Sequence, residues 1–346
     1  MKRNQLMALF MGLFLGTLLF APVSLASEQE PPVPTPAEAK KTTPQGWPSY
    51  LRLLTGPNGG QWFDAGEILA IMLDRDIMPT TSRIGGGMDN ISVIHNRMGD
   101  LGFTVASFLF GTKNNLPEFE GVKIDNVATL GNVYPQIFYM LTRKGFAENH
   151  NLRTIEDLLN IKGVVRMASL RPGSASEFVL SNLLKYGYGT SFEELRLRGW
   201  TVAYGNYSAI ADDLVAGTLD CFAYTAGEDV PLIHTLTQHI PITILQVDVS
   251  AIDNFSKNFG MYAYTIPAHR YTGQDRPVTT LGDYTTIIVR KDFPDDLVYA
   301  ITKVMFDNKK FVAQTIHDFG ALSPKTAISN DAFLHPGAAL FWKEQL

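Results

Sequence analysis

Two glycine-bearing turns stand where a strand pattern gives way to a helix pattern, and they constrain the fold more than any other feature. The first is Thr55-Gly56-Pro57-Asn58-Gly59-Gly60-Gln61-Trp62-Phe63-Asp64-Ala65-Gly66. Tyr50-Leu51-Arg52-Leu53-Leu54 before it has the pattern of a short strand, while Ile68, Leu69, Ile71, Met72 and Leu73 after it fall at helical spacing. The second is Ser169-Leu170-Arg171-Pro172-Gly173-Ser174-Ala175-Ser176, behind a strand pattern at 164–168 and ahead of a helix at 177–186. Glycine at such a junction lets the backbone approach a ligand closely. The helix start behind it leaves amide donors unpaired and carries partial positive charge. That combination suits a small anion. Either turn alone is an ordinary helix cap; as a matched pair they point to a shared ligand.

Strand and helix patterns alternate around these turns. Strands are expected at 80–84, 100–105, 127–130, 136–142, 164–168, 219–224, 242–246 and 284–289, with helices at 154–159, 177–186, 210–216 and about 295–307. The strand–turn–helix units fall into two blocks, which predicts an α/β protein of two similar lobes. Ligands of open α/β sheets bind beyond the carboxyl ends of the strands, so two facing lobes would make a cleft with a helix start on each wall.

The first residues read as an address. Lys2 and Arg3 precede an apolar run from Leu6 to Phe20, and Ser24-Leu25-Ala26 supplies small residues for cleavage after Ala26. The apolar run is shorter than a membrane-spanning helix needs. Residues 1–26 are therefore expected to be a secretory signal, and 27–49, rich in proline, alanine and charge, a disordered linker. An exported, soluble chain follows as the expectation. Removing the signal takes away two positive charges and no negative ones, moving the net charge from −5 to −7. That balance argues against a nucleic-acid partner and against an anionic membrane surface. The single cysteine, Cys221, allows no internal disulfide, so burial alone must hold the fold. With 45% hydrophobic residues the chain has material for two cores.

A third glycine loop, Arg83-Ile84-Gly85-Gly86-Gly87-Met88-Asp89-Asn90, also lies between a strand and a helix. Asp220 through Gly227 forms a strand ending in small residues, which suits a cleft wall. No catalytic or metal-binding constellation is visible: the histidines (95, 150, 234, 239, 269, 317 and 335) lack ligand spacing, and Gly173-Ser174 lacks the flanks of a nucleophile elbow. The aromatics Trp62, Phe63, Tyr134 and Tyr207 are candidates for packing on a ligand, or for core.

Over nearly all of the mature chain these residues resemble the TAXI-type solute receptors of tripartite ATP-independent periplasmic (TRAP) transporters. Gly59-Gly60-Gln61-Trp62-Phe63 resembles that family's Gly-Gly-Thr-Tyr-Tyr, and Gly86-Gly87-Met88-Asp89-Asn90 with Gly99-Asp100-Leu101-Gly102 resembles its Gly-Gly-Ser-x-Glu-Asn and Gly-x-Asp-Leu-Gly. Residues 154–159 with Pro172-Gly173-Ser174, Gly217-Thr218-Leu219-Asp220 through Ala226-Gly227, and the tail Leu334-His335-Pro336-Gly337-Ala338 continue the likeness in order. Gln61, Trp62, Phe63, Ile84 and Gly87 depart from the pattern and remove hydroxyl donors, and Glu228-Asp229 add acid.

The resemblance implies a bilobed type II periplasmic-binding fold with a two-strand hinge, crossing near 138–142 and 285–289. Lobe 1 would hold residues 50–138 and 285–346, and lobe 2 residues 139–284. It implies a non-enzymatic, monomeric periplasmic receptor that passes a small organic acid or amino acid to TRAP membrane subunits, without cofactor or metal. Ligand contacts are expected from Asn58, Gly59, Gly60, Gln61, Trp62, Phe63, Gly86, Gly87, Asn90, Tyr134, Arg171, Gly173, Ser174, Ser176, Thr225 and Gly227, with Arg171 or Arg83 as the ion partner. Alternative readings are a ligand sensor feeding a signalling partner and, at greater distance, an exported enzyme.

Overall fold

The alternating pattern builds ten strands into one continuous sheet. In the computed structural model, which describes residues 44–328 and 333–346, these are β1 (Leu51–Leu54), β2 (Thr80–Arg83), β3 (Leu101–Val105), β4 (Val127–Arg143), β5 (Arg166–Leu170), β6 (Thr201–Gly205), β7 (Cys221–Ala226), β8 (Ile242–Ile244), β9 (Tyr262–Ile266) and β10 (Val278–Arg290). Their order is β2-β1-β3-β10-β4-β7-β5-β6, with β8 added to β4 and β9 to β10. β1 is parallel to β2 and β3, and β5 is parallel to β6 and β7, so each end of the sheet is a small parallel unit. Parallel neighbours need crossover connections. Helix Gln61–Asp76 leads from β1 to β2 and Gly87–His95 from β2 to β3; Ala175–Asn182 follows β5 and Tyr207–Ala216 follows β6.

Two long antiparallel strands join the ends. β4 pairs with β10 over residues 127–137 and with β7 over 137–142. β10 pairs with β9 over 278–282 and with β3 over 285–289. The exchange of partners thus falls at Ile137 on β4 and between Gly282 and Thr285 on β10. The sequence pattern breaks β4 into two pieces at residues 131–135, yet it is one strand of 17 residues. Its register against β10 shifts between Thr285 and Thr286 and again between Ile287 and Ile288. Bulges of this kind disturb the two-residue alternation without ending the ladder.

β6 and β9 carry little strand signal because both are largely or alternately exposed. Helices Pro231–His239, Val249–Phe259 and Pro336–Glu344 also go beyond the expected set. The expected signal, and the linker as far as residue 43, lie outside the described residues. At the linker's far end Trp47 packs on the core, and its indole donates to Asp296 Oδ1 (3.0 Å). Among the described residues no helix is long and apolar enough to cross a membrane.

Burial follows the alternation of the central strands. On β4, Phe138 and Met140 enter the large core cluster, while Ile137, Tyr139 and Leu141 point to a second cluster on the other face. On β7, Cys221 and Ala223 face the first and Phe222, Tyr224 and Ala226 the second. Both faces of these central strands are therefore covered, successive side chains entering opposite clusters. The tail motif is part of this packing. His335 Nδ1 accepts from the Gly337 amide (3.2 Å) as the cap of the last helix, and burial lowers the imidazole pKa, which favours the neutral acceptor.

Candidate functional site

Three helix starts open onto one cavity. The helices beginning at Gln61 and Gly87 follow Gly60 and Gly86, and neither N-cap offers a side-chain acceptor. Their first amides therefore lack the partner that a capped helix gives them. The third helix follows Ser174, whose hydroxyl accepts from the Glu177 amide (3.3 Å) and leaves the amides of Ala175 and Ser176 beyond that cap. Residues of all three starts line a cavity of about 160 Å³. Gly59, Gly60, Gln61, Trp62, Gly86 and Gly87 line it from one half of the sheet, and Ser174, Ser176 and Thr225 from the other. A Cβ on Gly60 would come within 3.1 Å of the Tyr207 ring, so the two walls approach closely there.

A chain of hydrogen bonds crosses the cavity floor from half to half. Trp62 Nε1 donates to Thr285 Oγ1 (3.0 Å), which donates to Gln136 Oε1 (3.0 Å). Gln136 Nε2 reaches Thr225 Oγ1 (3.4 Å), and Ser176 Oγ accepts from the Thr225 amide (2.9 Å). Thr285 and Gln136 sit on β10 and β4, where those strands exchange partners. The floor is thus built on the two strands shared by both halves.

The side chains lining the cavity are mostly apolar, with Leu170, Val230, Leu232 and Ile316 joining Trp62 and Tyr207. Among the described lining residues none is Lys, Arg or His. Asp64 is the acid there, and burial, followed by the neighbouring Glu67 charge, raises its pKa. Burial pushes the Tyr207 hydroxyl up to about 12, so it stays a neutral donor. The site can hold an anion by oriented backbone amides and hydroxyls, not by a full countercharge.

Several expected residues lie elsewhere. Arg171 is exposed off the cavity, and its guanidinium donates to the Gly85 carbonyl (3.2 Å), joining the two outer loops. Arg83 is exposed and off the lining as well. Asn90 is buried with its amide bound to the carbonyls of Thr55 and Phe103, while its Oδ1 accepts from Gly86; it shapes the turn and does not face the cavity. Tyr134 is fully buried against Phe319, Phe63 is half-buried off the lining, and Asn58 and Gly173 sit in exposed turns. Gly227 donates to Gln61 Oε1 (2.8 Å) at a junction between the halves. Gln136 is missing from the expected set, although it and Asn132 are amides in the mostly apolar β4, which was a visible signal. Thr315 and Ile316 have no such signal, since they reach the cavity on a returning C-terminal segment. Among the described residues no group of three or more His, Cys, Asp or Glu is placed to hold a metal ion.

Comparison with known proteins places this geometry. Residues 53–345 match the NMT1-like family. The chain belongs to that family. Among solved structures it is similar to MatC from Rhodopseudomonas palustris with bound malate, at TM-score 0.53 and 15% identity over 86% of this chain and 97% of that one. It is also similar to the periplasmic binding protein BugD, at TM-score 0.51 and 14% identity over 86% and 95%. The fold is the bilobed α/β architecture of periplasmic binding proteins, type II in kind.

Proposed function

We propose that this chain is a periplasmic receptor that closes on a small organic acid or amino acid without altering it. The observation that carries the reading is the convergence of three helix starts, two of them without side-chain caps, on one small cavity over the shared strands. Helix amides bind a carboxylate by dipole and hydrogen bond together. The apolar walls then contribute burial. A micromolar receptor needs about 8 kcal/mol in all. MatC, with the same fold, holds malate, which supports an organic acid as the ligand class. Lobe 1 is taken as residues 50–138 and 285–346 and lobe 2 as 139–284, moving about the shared strands. Delivery to TRAP membrane subunits, and export through the 1–26 signal, are proposed from the motif resemblance.

Native mass spectrometry of the purified protein, read for a co-purified solute, tests this reading, followed by a thermal-shift panel of organic acids and amino acids. A bound or stabilising acid is expected, with the shift following mass action. If none of the panel raises the melting temperature and no acid co-purifies, the receptor reading fails.

A further inference from the structure

Beside the cavity, behind Gln61, lies a second anion-binding arrangement, and the protein fills it itself. Asp318 is 8% exposed. Its Oδ1 accepts from the amides of Glu228 (3.1 Å) and Asp229 (3.1 Å), and its Oδ2 from Gln61 Nε2 (2.8 Å) and again from Asp229 (3.2 Å). Gln61 completes the junction, accepting from Gly227 and donating to the Asp229 carbonyl (3.3 Å). A Cβ on Gly227 would collide with the Asp318 carboxylate, so the contact is closed on that side. No cation takes part among the described residues. The nearby histidines, His234 (2.7 Å) and His317 (3.5 Å), face Asp229 instead. Backbone and amide dipoles alone hold this carboxylate, as they would hold one from a ligand.

We infer that Asp318 is a specificity-determining residue: its carboxylate occupies the subsite that a second acid group of the ligand would need, so the cavity accepts solutes with one carboxylate and rejects dicarboxylates. The inference rests on the receptor reading above. Gln61 lines the cavity and binds Asp318, while Ala226 and Val230 line it on either side of the residues that hold that carboxylate. A second ligand carboxylate would meet the Asp318 charge and Asp64, with no Lys, Arg or His among the described lining residues. Burying a charge without a partner is strongly unfavourable.

Calorimetry with malate and 2-hydroxybutyrate, which differ by one carboxylate, tests it on the full protein and on Asp318→Ala. The wild type should bind 2-hydroxybutyrate at least about tenfold more tightly, and Asp318→Ala should lose or reverse that preference. Free acetate should also stabilise Asp318→Ala beyond its effect on the wild type, with chloride at equal ionic strength inert. Should Asp318→Ala not fold, Asp318→Asn keeps an acceptor for the two amides while removing the charge, and its preference should fall below about threefold. Equal or tighter malate binding by the wild type overturns the inference and leaves the receptor reading standing. An acetate effect identical in the two proteins overturns it as well. If no acid in the wider panel binds the wild type, both fall together.

Discussion

Thr285 carries the cavity floor on one hydroxyl. It accepts from the Trp62 indole and donates to Gln136, both at 3.0 Å, and is itself fully buried. Thr285→Val keeps the shape but strands a buried donor and a buried acceptor. At about 1–3 kcal/mol for each unsatisfied group, urea unfolding should show a loss of roughly 2–6 kcal/mol. A loss near zero would mean that neither partner depends on the threonine. Arg171 illustrates the opposite case. It fits an ion pair in sequence, yet it is exposed and holds a backbone carbonyl on the neighbouring loop. Arg171→Ala should change solute affinity by less than about threefold, as exposed charged contacts do. A tenfold loss in a binding titration would return the guanidinium to the ligand.

Among the elements, β10 does the most to connect the halves, and Asp283 lies where it exchanges partners. The Asp283 carboxylate accepts from Ser107 at the start of helix Ala106–Lys113 (3.2 Å) and from Tyr284 (2.7 Å). Burial pushes this carboxyl up to about 6, from an ordinary value of 3.8, against the pull of those amides. A raised folded pKa means that the fold binds this proton more tightly than the unfolded chain does. The stabilisation is then complete below about pH 4 and is lost as pH rises through about 6. Asp283→Asn removes that loss, so its melting temperature relative to wild type should climb between about pH 4 and about pH 6.5 and then level off. A constant difference across the window would assign the pH dependence to another group. Elements with a clean period or a side-chain cap were legible in sequence. Helix Asp295–Asp307 falls on its expected bounds, and Thr154 caps its helix through a capping box with Asp157. β4 was not, because its bulges answer to the register of a partner strand far along the chain.

At the scale of the molecule, the proposed receptor would make binding and lobe closure one equilibrium, which a solute shifts only through contacts made better in one arrangement. The contacts of Gln61 with Gly227, Asp229 and Asp318 belong to the arrangement described here. Gln61→Ala should therefore favour lobe separation, seen as a larger radius of gyration in small-angle scattering without added solute. An unchanged radius would assign the closure to other contacts. The sequence by itself determined the local parts: the glycine turns, the helix starts behind them, the alternation that makes a two-faced sheet and the small residues of β7. Each depends on neighbours a few positions away, so period, cap and turn chemistry suffice to read it. Only the tertiary structure decided which of those parts meet. Asp318 and Gln61 touch across 257 positions, Trp62 and Thr285 across 223, and Gln136 reaches the floor because β4 runs through both halves. Such contacts depend on strand register and on the return of the C-terminal segment. No local pattern encodes either one, and that is why the turns could be read in advance while the acid that stands beside the cavity could not.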